Sequence, residues 1–230
     1  MMTSSVDTAE KFMFKGAIFD LDGTLINSMG VWEKIDIDFL AKRGISAPKT
    51  YFEEISTLSF REMAKYTIDR FNLDDSVEGL LQEWHEMAID EYSHNIWLKP
   101  YAKDYLTLLK SHDIKLATAT SLSRTLAEPV LRNNGIWDFF DVQCFTDEVE
   151  RGKAFPDVYL LAAKKLNILP QHCVVFEDLP QGITSAKNAG MKVVGVYDDV
   201  FKAHWKHIMQ TADAWIHDYQ DVLNKGTGLF

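Results

Sequence analysis

The sequence predicts an α/β protein, a doubly wound parallel sheet with a small all-α domain inserted directly after the first strand. Three observations predict it. Short, wholly apolar runs such as Cys173-Val174-Val175-Phe176 read as strands covered on both faces, the mark of a parallel sheet. After Pro100 these runs alternate with stretches of helical spacing, the rhythm of βαβ units. From Ser28, roughly seventy residues keep helical spacing with no strand-like alternation between them.

In chain order, Met1–Glu10 reads as a loose tail and Phe12–Phe19 as the first strand. Val31, Ile35 and Phe39, with Trp32 and Leu40 beside them, form an apolar stripe ending at Gly44. Arg61–Phe71 gives a second helix, and Val77, Leu80, Leu81, Trp84 and Ala88 mark a third. Tyr101–Ser111 is helical, followed by a short strand, Ile114–Ala117, ending at Thr118-Ala119-Thr120-Ser121. Ser123 is placed to cap a helix running to Asn134 and closed by Gly135. Then follow a strand at Val142–Phe145, a helix at Asp157–Asn167, the strand Cys173–Phe176, a helix at Gln181–Ala189 and a strand at Lys192–Val196. Beyond Val200 the pattern supports one helix and a short strand, Ala214–Ile216. Two domains result, 1–27 with 99–230 and the insertion 28–98.

A chain of 230 residues buries a substantial core. Its net charge of -10 argues against nucleic acid or an anionic membrane as partner, though a local cationic cluster still suits a small phosphorylated molecule. Cys144 and Cys173 lie in apolar runs without metal-ligand spacing and read as reduced, buried thiols. The polar segment Met1–Lys11 does not read as a signal peptide, and no apolar run reaches membrane-spanning length. The expectation is a cytoplasmic protein, a monomer or weak homodimer.

The chemistry concentrates at Asp20-Leu21-Asp22-Gly23-Thr24, where a strand ends in two carboxylates spaced i, i+2 and Gly23 turns the chain. Open α/β sheets keep their ligand crevices at the carboxyl ends of strands. Adjacent carboxylates repel unless a cation or a shared proton offsets them, so a metal or a protonated acid is expected. Other predicted strands and loops end in matching groups: Thr118, Lys153 before the Asp157 helix, and Glu177-Asp178. In a parallel sheet these ends converge, and clustered carboxylate oxygens with a substrate phosphate are what Mg²⁺ prefers.

These residues resemble the haloacid dehalogenase superfamily, in the branch with a helical cap after the first motif. Asp20-Leu21-Asp22-Gly23-Thr24 matches its first motif, D-x-D-G-T. Thr118 fits the second, Lys153 the third and Glu177-Asp178 the fourth, while Ala186, Ala189, Gly190 and Met191 match a following helix of phosphoglucomutase-like members. The resemblance implies a Rossmann-like catalytic core and a Mg²⁺-dependent phosphatase acting on a small phosphorylated metabolite. Asp20 would be the nucleophile that forms an aspartyl-phosphate. Asp22 would be general acid and then general base. Thr118, backbone amides near Ala119, and Lys153 would bind the phosphoryl group. The metal would be held by Asp20, Asp178, the backbone carbonyl of Asp22 and Glu177, directly or through water.

Two departures stand out. The third motif reads Lys153-Ala154-Phe155-Pro156-Asp157 in place of Lys-Pro-x-Pro-Asp, and Asn27 replaces an acid common after the first motif. Asp22 argues against dehalogenation, because dehalogenase members lack an acid there. The cap is expected to exclude water and choose the substrate through Ser56–Arg61. Arg61 would bind a second anionic group or else form a surface ion pair. Lys99 reads as a hinge residue or as solvent-facing, His204 and His207 as solvent-exposed, His85 as a structural histidine, and the tryptophans as core and cap lining. A β-phosphoglucomutase-like mutase is the first rival, but such mutases carry a histidine ten residues after the acid/base Asp, where this chain has Trp32. The second rival, a phospho-acceptor signalling module, is far shorter and has neither the helical insertion nor the second Asp.

Overall fold

The structure, a computed structural model, describes residues 12–55 and 58–225. They divide into two compact units: Ser28–Ile96, and Met1–Asn27 with Trp97–Phe230 so far as these are described. Trp97 and Leu98, expected in the insertion, group with the larger unit.

Four helices build the smaller unit: α1 (Val31–Lys42), α2 (Lys49–Ile55), α3 (Phe60–Phe71) and α4 (Val77–His94). The stripe read on α1 is its buried side, Val31, Ile35, Phe39 and Leu40, while Trp32 keeps 38% of its surface exposed. α2 was not foreseen, since seven residues are too few to establish a helical period. Ser59 starts α3 through a reciprocal capping box with Glu62. Ser76 starts α4 by accepting from the Gly79 N–H at 3.1 Å. Phe39, Leu80 and Trp84 are buried at the centre, with Phe60 also against the Trp84 ring.

Inside this unit a carboxylic acid is buried. Asp36 on α1 is 5% exposed and hydrogen-bonds the Tyr51 hydroxyl. The Tyr51 hydroxyl lies 2.8 Å from Thr67 Oγ1, which donates to the Met63 carbonyl at 2.8 Å. The bond from the Tyr51 hydroxyl favours the ionised carboxylate and by itself would pull the Asp36 pKa down. Burial is the main cause that lifts its pKa to about 7, the nearby Glu33 charge adding to it.

The larger unit is a six-stranded sheet of β1 (Gly16–Phe19), β2 (Lys115–Thr120), β3 (Val142–Phe145), β4 (Cys173–Glu177), β5 (Lys192–Val196) and β6 (Ala214–Ile216). Its order is β3-β2-β1-β4-β5-β6 and every pairing is parallel. The chain winds outward from β1 in both directions, so the topological switch lies where β1 meets β4. β1 starts four residues later than expected, because pairing with β4 begins only where the Lys15 N–H reaches the His172 carbonyl. β2 runs three residues further, through Thr118, Ala119 and Thr120. By polarity alone threonine reads as the end of a strand, yet its branched Cβ suits a strand interior.

The helices of this unit are α5 (Ala102–Ser111), α6 (Arg124–Asn133), α7 (Asp157–Leu166), α8 (Pro180–Asn188), α9 (Trp205–Thr211) and α10 (Tyr219–Lys225). Two therefore follow Val200, where one was expected. Ser123 precedes α6, but its hydroxyl pairs with Thr125 at 2.7 Å and caps no backbone N–H. One face of the sheet, with Ile18, Ala117, Ala119 and Val175, packs under α7, α8 and α9. On the other face Phe19 stacks on Phe176 at 4.6 Å, with Tyr105 of α5 and Tyr219 of α10 over them. Cys144 and Cys173 are free and buried, and burial pushes both thiols up to about 11.

The two chain crossings at the edge of this unit are paired. Ile26 and Leu98 form an antiparallel bridge, flanked by the bonds from Asn27 N–H to the Trp97 carbonyl and from Lys99 N–H to the Leu25 carbonyl. The Lys99 ammonium is buried, 2.9 Å from the Asp198 carboxylate and 2.7 Å from the Tyr197 carbonyl. It does not face solvent, because a lysine buried this deeply needs an opposite charge to offset lost hydration.

Candidate active site

Register assembles the site. Phe19 lies opposite Thr118 on one side and Phe176 on the other. The next residue along each strand is Asp20, Ala119 and Glu177, so one row holds two acids and a small residue with no bulk between them. Asp20 extends the β1–β4 ladder, its N–H bonding the Phe176 carbonyl at 3.1 Å. The chain then turns sharply. The Leu21 carbonyl accepts from the N–H groups of Thr24, Leu25 and Ile26, and Gly23 takes φ +71°, a left-handed conformation that suits glycine.

Asp178 follows Glu177 beyond the strand end. Its Oδ1 accepts from the Thr24 hydroxyl at 3.0 Å, while its buried Oδ2 meets no hydrogen-bond partner among the described residues. Thr24 is itself fixed, fully buried and with its carbonyl accepting from the Tyr219 hydroxyl at 3.3 Å. From the loop before α7, Lys153 reaches in and ion-pairs with both Asp20 and Glu177, 2.9 Å from Glu177 Oε2. Glu177 has no exposed surface. Its Oε1 accepts from the Leu179 N–H and its Oε2 from the Tyr159 hydroxyl, each at 3.2 Å. Gly182 on α8 makes the room: a Cβ there would lie 2.4 Å from the Glu177 carboxyl carbon.

Charge at this point is unbalanced. Ionised together, three carboxylates beside one ammonium would leave two negative charges in a buried space. Burial raises the Glu177 pKa to about 7 against the pull of Lys153. Burial, with the charges of Glu177 and Asp20, holds Asp178 well above the usual carboxylate range. Burial alone would lower the Lys153 pKa, but Asp20 and Glu177 hold it well above its ordinary value. Asp20, Glu177 and Asp178 each offer an oxygen, all within 4.8 Å of one another. Clustered oxygen donors, an Asp178 oxygen without a partner and a deficit of two positive charges fit a hard divalent cation.

The other expected site residues divide. Asp22 is half-buried at the turn, bridged to Ile26. Ala119 is buried in β2 in the row of Asp20. Thr118 is not at a strand end: it sits beside Phe19 within the sheet, and its buried hydroxyl finds no partner among the described residues. The strand-end hydroxyl is Thr120, whose Oγ1 accepts from the Leu122 N–H at 3.1 Å. Arg61 lies on the exposed surface of the helical unit, paired with Glu78 at 2.5 Å. Ser56 and Thr57 of the expected specificity loop lie outside the described residues. His204 and His207 are exposed, and so is His85, which therefore is not a packed structural histidine. Trp84 is buried, but Trp97 and Trp215 are 60% and 41% exposed, so the tryptophans are not uniformly core.

A carboxylate cluster with a lysine thus lies at the switch point of a parallel sheet, where open α/β folds bind their ligands. The sequence profile described as haloacid dehalogenase-like hydrolase matches residues 17–196, and the chain belongs to that family. It is 33% identical over 187 residues to the phosphorylated carbohydrates phosphatase of Thermotoga maritima, covering 79% of this chain and 85% of that one. It is 30% identical to the validoxylamine A 7'-phosphate phosphatase of Streptomyces hygroscopicus subsp. limoneus, over 91% and 96% of the two chains. The crystal structure of a Thermotoga maritima protein provisionally described as a β-phosphoglucomutase superposes with TM-score 0.81 at 30% identity, over 91% and 97% of the chains.

Proposed function

We propose that this chain is a divalent-metal-dependent phosphatase that hydrolyses a small phosphorylated metabolite, of the sugar-phosphate kind, through a phosphoryl group carried on Asp20. The observation that carries the reading is the meeting of Lys153, Asp20, Glu177 and Asp178, drawn from three separate segments, at one buried point. The phosphatase relatives support it. Asp20 and Asp178 would hold Mg²⁺, with the Asp22 carbonyl, and Glu177 through water; the ion would neutralise phosphate oxygens.

Asp20 attacks phosphorus with a carboxylate oxygen, and the bond to the leaving oxygen breaks. Asp22, half-buried at the turn and so open to substrate, gives that oxygen a proton. Water then attacks the acyl phosphate while Asp22 takes a proton from that water, and the bond from Asp20 to phosphorus breaks, releasing phosphate and free Asp20. Lys153 turns from Asp20 towards the transferring group as negative charge spreads over it. The strand-end residues Thr120 and Ser121 are the proposed donors to the phosphoryl oxygens, in place of Thr118. Helices 28–96 are the proposed substrate-selecting cap.

The test is phosphate release from a panel of phosphorylated metabolites, with Mg²⁺ and with chelator. Asp20→Asn should lower turnover by at least about 10³-fold, the scale at which removal of a covalent nucleophile is felt. A variant as fast as the parent would overturn the assignment. Glucose phosphates should yield free phosphate; isomerisation instead would establish the mutase, a reading that the imidazole-free Trp32 disfavours.

A further inference from the structure

Tyr159 has no part in the reaction above, yet it touches the site. It lies on α7, which begins four residues after Lys153, and its side chain is fully buried. Its hydroxyl donates to Glu177 Oε2 at 3.2 Å, the same oxygen that Lys153 grips at 2.9 Å. Glu177 Oε1 is already committed to the Leu179 N–H. The phenol is thus the second donor on Glu177 Oε2, which with Asp20 Oδ1 competes with substrate for Lys153. A phenylalanine would fill this space as well, so packing does not call for the hydroxyl.

We propose that Tyr159 is a positioning residue, which sets how firmly Glu177 retains Lys153 and so how readily the lysine turns to a phosphoryl group. The inference rests on the phosphatase reading. By sharing the charge of Oε2, the phenol weakens the grip of Glu177 on the ammonium. It also holds the carboxylate in one orientation in the space left by Gly182. Without the hydroxyl, Oε2 has Lys153 as its sole described donor, and the lysine is drawn away from substrate.

The test is Tyr159→Phe, alone and with Glu177→Gln, measured by calorimetric binding of inorganic phosphate in the presence of Mg²⁺ and by kcat and KM for p-nitrophenyl phosphate. Tyr159→Phe should weaken phosphate binding and raise KM by about three- to tenfold, the net size of one ordinary hydrogen bond, with kcat within about twofold. Added to Glu177→Gln, it should change phosphate affinity no further, because the carboxylate through which it acts is gone. Unchanged affinity in Tyr159→Phe, or an equal loss with and without Glu177, overturns the inference and leaves the phosphatase reading standing. A parent chain that neither binds phosphate nor releases it from p-nitrophenyl phosphate overturns both.

Discussion

Gly182 shows how a single missing methyl group decides a site. Its absent Cβ is the space that the Glu177 carboxylate fills, and Glu177 in turn holds Lys153. Gly182→Ala would drive a methyl against a buried carboxylate rather than a flexible side-chain tip. The expected cost is about 1–3 kcal/mol of stability, the usual range for overpacking, together with loss of most phosphatase turnover. Denaturant unfolding and phosphate release measure the two; an alanine variant with parental stability and rate would show that Glu177 moves aside freely. The acids, the lysine and the turn glycine of this centre were legible as residue types. Thr120 and Gly182 were not, because strand ends and close approaches depend on what lies opposite.

At the level of elements, the paired crossings Ile26–Leu98 and the turn after Asp20 belong to one hydrogen-bonded piece, and Lys99 ties it to the end of β5. Lys99→Met would leave Asp198 buried without its cation. The expected loss is about 3–5 kcal/mol, the penalty of breaking a buried pair. The pairing variant Lys99→Met with Asp198→Leu should recover most of it, since two apolar groups leave no stranded charge. Guanidinium unfolding checks both, and a single variant that loses under about 1 kcal/mol would remove the anchoring role. The extension of β2 teaches the same lesson about elements. Thr118 and Thr120 read as a polar end, but β1 pairs with β2 as far as Thr118 and β3 carries the ladder on to Thr120.

For the molecule as a whole, Asp36 should shape the dependence of stability on pH. Its pKa rises from 3.8 to about 7 on folding, so the folded chain binds the extra proton between those values. Stability from this group is therefore greatest below pH 4, falls as pH rises towards 7, and is flat above. Three units correspond to at most about 4 kcal/mol. Asp36→Asn keeps a neutral hydrogen-bonding partner for Tyr51 and should flatten that part of the curve, leaving the variant more stable than the parent at pH 8. Equal pH profiles for the two proteins in thermal unfolding would contradict a neutral Asp36.

The sequence by itself determined the alternation of strand and helix, the helical insertion and the acids that end β1 and β4. Apolar runs and turn residues are local signals, and local signals survive in a linear text. Only the tertiary structure decided that Thr120 and not Thr118 ends its strand, that Lys99 is buried against Asp198, and that Tyr159 and Gly182 hold Glu177. Those facts are distances between residues far apart in the chain, set by sheet register and helix packing, and no short stretch of sequence carries them.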